Sequence, residues 1–70
     1  MNNVYTAVVR RDGGWWIGWV EEIPGVNSQG QTREELMTNL QSALVEALQM
    51  NREASRVAAG NEFEEVTIST

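Results

Sequence analysis

Apolar and polar positions change period along this chain, and the changes mark its elements. Residues 4–10, Val4-Tyr5-Thr6-Ala7-Val8-Val9-Arg10, are rich in β-branched side chains and predict a strand. Residues 15–21, Trp15-Trp16-Ile17-Gly18-Trp19-Val20-Glu21, predict a second. Between them Asp12-Gly13 suits a two-residue hairpin turn, because both residues tolerate the positive φ that such a turn requires. That turn would set Arg10 opposite Trp15, Val9 opposite Trp16, Ala7 opposite Gly18 and Tyr5 opposite Val20. Side chains alternate across a strand, so one face would carry Tyr5, Ala7, Val9, Trp16, Gly18 and Val20. The other would carry Val4, Thr6, Val8, Arg10, Trp15, Ile17 and Trp19.

Pro24-Gly25 then stops the strand, and residues 26–28 leave room for a short third one. Thr32 followed by Glu35 is a capping box, and Glu34 adds negative charge at the positive end of a helix dipole. Leu36, Leu40, Ala43, Leu44, Ala47 and Leu48 form one stripe on a 3.6-residue period. Asn51 falls within the stripe, but Ala54 and Ala58 resume it and Gly60-Asn61 suits a C-cap, so one helix over residues 33–59 is expected. Residues 62–69, with Val66 and Ile68 on one side and Glu65 and Thr67 on the other, predict a closing strand. The expected fold class is α+β, one domain over residues 1–70 in the order β-β-β-α-β, with one long helix on one face of the sheet.

A single helix covers one face only. The small residues Ala7 and Gly18 make a flat place for it, which assigns the Tyr5 face to the core. The second face, with Trp15, Ile17, Trp19, Val4 and Val8, would then leave an apolar patch in water that monomers rarely tolerate. A homodimer or tetramer is therefore expected. Seventy residues without cysteine support that expectation, because so small a core has neither disulfide nor thiolate metal site to supplement it. The lack of cysteine also suits a reducing cytoplasm. No signal-peptide core and no run near the ~20 apolar residues of a membrane span is present, so a soluble cytoplasmic chain without membrane contact is expected.

Chemistry narrows the reading further. The net charge is −5, from ten acids against five arginines and no lysine, a poor match for nucleic acid. The tryptophans could in principle stack on bases, but Arg10-Arg11 at one end and Glu21-Glu22 at the other do not make a positive groove. Histidine, cysteine and lysine are all absent, which removes the usual general base, thiolate and Schiff-base amine. The paired acids Glu21-Glu22, Glu34-Glu35 and Glu64-Glu65 are read as strand neighbours pointing apart or as helix-start chemistry. Asp12 is the sole aspartate and is assigned to the turn, so a two-metal nuclease is not expected. The glycines fit no phosphate loop or dinucleotide fingerprint. No catalytic residue, metal or cofactor is expected, and a protein partner is.

The order of these signals resembles the HicB-like antitoxin domain family. The residues that carry the resemblance are Tyr5, Asp12-Gly13-Gly14, Trp15-Trp16, Pro24-Gly25, Ser28, Gly30-Gln31-Thr32 and Glu34-Glu35, followed by Asn39 and Leu40. Gln31 stands where the family usually has an acid, and Val26 where it often has cysteine. The resemblance implies a partial ribonuclease-H-like fold without nuclease activity, self-association, and neutralisation of a small basic RNA-cleaving toxin, HicA-like, by steric occlusion. An acidic carrier suits such a partner. Many members carry a C-terminal DNA-binding domain and this sequence ends at Thr70 without one, so direct DNA binding is not expected. The candidate interface is the Trp face with its acidic edge: Val8, Trp15, Ile17, Trp19, Glu21, Glu22, Glu34 and Glu35. The alternative is a solitary self-assembling structural or ligand-sensing domain with no toxin partner.

Overall fold

The computed structural model describes residues 4–68 as three antiparallel strands followed by one long helix: β1 (Ala7–Asp12), β2 (Trp15–Val20), β3 (Asn27–Gly30) and α1 (Arg33–Ala59). The sheet order is β1-β2-β3, so both connections are between neighbours. Gly13, at φ 64°, is the first central residue of the hairpin turn, and Gly14 has no positive φ, the pattern of a type II′ turn. The turn thus sits on Gly13-Gly14, one residue later than Asp12-Gly13. Asp12 joins β1 opposite Trp15, and the observed pairs are Arg11 with Trp16, Arg10 with Ile17, Val9 with Gly18, Val8 with Trp19 and Ala7 with Val20. Every predicted partner is displaced by two residues, an even number, so the membership of the two faces is as expected while the cross-strand neighbours are not.

Ile23-Pro24-Gly25-Val26 closes a second turn. The Val26 N–H donates to the Ile23 carbonyl at 3.3 Å, and Gly25 takes the positive φ of 89° that the third position of a type II turn demands. Thr32 caps α1 in extended backbone, its hydroxyl accepting from the Glu35 N–H at 3.0 Å. Glu35 reaches back to accept from the N–H of Gln31, one residue before the cap, at 3.0 Å. At the far end the Gly60 N–H donates to the carbonyls of Arg56 and Val57. The helix runs unbroken through Asn51.

The helix lies on the face predicted for the core. A Cβ at Gly18 would come 2.9 Å from the Val8 carbonyl, 3.0 Å from Val9 and 3.2 Å from a Leu36 methyl, so glycine there lets α1 rest directly on β2. Val20, Val26, Leu36 and Leu40 are buried, with Tyr5, Ala7, Ile23, Ala43, Leu44 and Ala47 packed around them. Four buried side chains, each contributing about 1.5–3 kcal/mol, make a small core.

Two features depart from a compact β-β-β-α-β domain. Residues 61–68 form no strand; Val66 and Ile68 stand in solvent, and Glu65 lies beside Arg56 of the helix at 3.2 Å, an exposed ion pair of small worth. The predicted closing strand is corrected accordingly for these residues, while Ser69 lies outside the described ones. The physical reason is length: α1 has 27 residues, about 40 Å, and carries the chain past the end of the sheet. From residue 49 onward every helical residue is exposed. The radius of gyration, 15.1 Å, exceeds the roughly 11 Å of a compact chain of this length, and the long dimension is 50 Å against 24 and 16 Å.

Candidate protein-binding surface

The face of the sheet away from α1 is open. Alternation along β1 and β2 brings Val8, Trp15, Ile17 and Trp19 onto it together, flanked by Arg10 and Asp12, while β3 adds Asn27 and Gln29, which pair with Trp19 and Ile17. Trp15 and Trp19 are 43% and 41% exposed, and Val8 and Ile17 are half-buried between them. Three strands hold these side chains at fixed spacing, so the patch is rigid, a condition that lowers the entropy cost of binding. Trp16 belongs to the opposite face, where the Arg11 guanidinium covers its ring at 5.7 Å from the centroid.

The four glutamates of the expected acidic edge do not form one edge. Gly30, just before the helix start, pairs with Trp16, so Glu34 and Glu35 lie at the hairpin end of the sheet. Glu21 and Glu22 follow Val20 at the other end, four to five strand residues or roughly 15 Å away. The acids therefore stand at the two ends of the sheet, with Glu34 and Glu35 on the helix side rather than on the Trp face. Glu35 is engaged in the cap, and Glu34 is exposed. Glu22 accepts from the Thr6 N–H at 2.8 Å, and this backbone hydrogen bond holds its carboxyl below the ordinary value. Among the described residues no group of three or more His, Cys, Asp or Glu side chains converges. No helix among them is long and apolar enough to cross a membrane.

A second feature escaped the sequence reading. Beside β1, on the helix side, lies an open groove of about 280 Å³ lined chiefly by Tyr5, Ala7, Val20, Met37, Leu40 and Leu44. Periodicity assigned all of these residues except Met37 to the core; the groove is open because no described residue is packed against the outer edge of β1.

No family model matches the chain, no curated protein matches it, and no solved structure matches it. The resemblance to HicB-like domains rests on the ordered motif alone.

Proposed function

We propose that this chain is an antitoxin-type protein-binding domain of the HicB-like kind, with the partial ribonuclease-H-like arrangement of that family, acting in the cytoplasm. Its partner is a small basic RNA-cleaving toxin, HicA-like, neutralised by steric occlusion. The observation that carries the reading is the Val8/Trp15/Ile17/Trp19 face, uncovered among the described residues, on a chain of net charge −5. Tryptophans at the centre of a patch are the side chains most often found to dominate binding energy. The net negative charge would steer a basic partner toward the chain and resist other acidic chains. Covering the toxin requires no catalytic group on this side, which agrees with a sequence lacking His, Cys and Lys.

Co-expression with a small basic HicA-like toxin, taken from a neighbouring reading frame where one is encoded, tests the proposal. The toxin should co-purify and growth should be restored. Trp19→Ser should weaken binding by about 2 kcal/mol or more, roughly 30-fold, measured by calorimetry. Failure of both co-purification and growth rescue would overturn the reading. A second reading, a solitary self-assembling domain with no toxin, is favoured by a separate observation: the apolar stripe of α1 continues beyond its sheet.

A further inference from the structure

The last 11 residues of α1, 49–59, are all exposed, yet its apolar stripe does not stop. Met50, Ala54, Val57 and Ala58 lie within about 60° of the line set by Leu36, on the same side of the helix as the buried residues. All four are exposed, Val57 at 82%. The chain that follows has strand alternation but no strand partner. A surface for such a strand exists on the same molecule. The Glu21 N–H donates to the Thr6 carbonyl, which fixes the alternation along β1: Thr6, Val8 and Arg10 turn their backbone groups toward β2, and Ala7, Val9 and Arg11 turn theirs outward. These outward groups have no ladder partner among the described residues. At the opposite edge of the sheet, Asn39 already occupies the Gln29 carbonyl at 3.0 Å. At β1, by contrast, a bare edge adjoins an apolar groove, the arrangement that accepts an added strand.

We propose that residues 62–68 of one copy add as an antiparallel strand to the β1 edge of a second copy, and reciprocally, giving a strand-exchanged dimer. Reach decides against a chain closing on itself. The mouth of its own groove, at Leu44, lies about 24 Å back along α1 from Gly60, and the far end, at Met37, about 34 Å. Residues 61–66 span at most roughly 20–22 Å fully extended and residues 61–68 roughly 26–29 Å, so Val66 stops short of its own groove and Ile68 reaches only its mouth, too little for the segment to pair along its own β1. Two copies with antiparallel helices remove the difficulty, because Gly60 of one comes level with the partner's Arg33. The exposed stripe of α1 then lies over the partner's sheet.

Direction and charge agree with this pairing. α1 starts beside the hairpin and passes Val20 and Ala7, so it runs from the Arg11 end of β1 toward Tyr5. The incoming segment, antiparallel to its own helix, runs the same way along the partner. Val66 beside the partner's Ala7 places Ile68 beside the partner's Tyr5, in the groove, and Glu62 beside the partner's Arg11. The acidic start of the segment, Glu62, Glu64 and Glu65, meets the basic end of β1, Arg10 and Arg11. The Trp face stays free, so the dimer is independent of the toxin reading.

Sedimentation of the full chain at tens of micromolar should give twice the 7.8 kDa chain mass. Val66 is 71% exposed in the single chain, so Val66→Glu leaves that chain's packing intact and should abolish the dimer with an unchanged circular dichroism spectrum. In the double variant Ala7→Cys/Val66→Cys, the only thiols present, oxidation should yield two covalently linked chains. A disulfide closed within one chain, or none, would overturn the proposal. So would a dimer that survives Val66→Glu and is lost in Trp19→Ser, which would place the contact on the Trp face.

Discussion

A Cβ at position 30 would lie 2.6 Å from the Leu36 backbone nitrogen and 3.1 Å from the Glu35 carbonyl carbon. Both are backbone atoms of the first helical turn, which cannot move without pulling the cap from Thr32. Gly30→Ala should therefore destabilise by about 1–3 kcal/mol in urea unfolding, the usual cost of overpacking. Gly14→Ala, with nothing within 4 Å of the added carbon, should be near neutral. Glu22 gives a prediction in pH. Its carboxyl titrates below the ordinary 4.5 because the charged form accepts from Thr6, so its contribution is complete above that value and fades as pH falls through the lower native one. Glu22→Gln should remove that part of the acid limb of a stability–pH curve and leave the neutral region flat. Residue-level chemistry was readable where the signal is local: Thr32 with Glu35, and Pro24-Gly25, act within four residues. The hairpin register was not, because Asp12-Gly13 and Gly13-Gly14 are both acceptable turns and both leave the same residues on each face.

Among the elements, α1 was legible from end to end, since capping box, stripe and terminal glycine agree. Its relation to the sheet was not. Periodicity tells which side of a helix is apolar but not how much of that side has something to cover it, and the change at residue 49 falls within a continuous pattern. Hydrogen exchange should make the boundary visible. At concentrations where single chains prevail, amides of residues 36–48 should exchange only with global unfolding, and those of residues 49–59 should exchange through local opening. Uniform protection along the helix would contradict the exposure of its second half. The segment from residue 62 shows the converse case: alternation marks it as fit to be a strand, but most of its residues fall short of the free edge of their own chain.

For the molecule as a whole, two distinct surfaces bear on the proposed binding roles. The Trp face was legible because a two-residue register shift leaves alternation intact; the β1 groove was hidden because it is made by an absent neighbour. These surfaces lie on opposite sides of one thin sheet, which has an optical consequence. Trp15 and Trp19 stand on the open side, and Trp16 lies under Arg11 on the helix side. The three indoles thus form a built-in set of probes: a quencher dissolved in the buffer meets two of them directly, and whatever covers the open side shields those two while leaving the third as the internal reference.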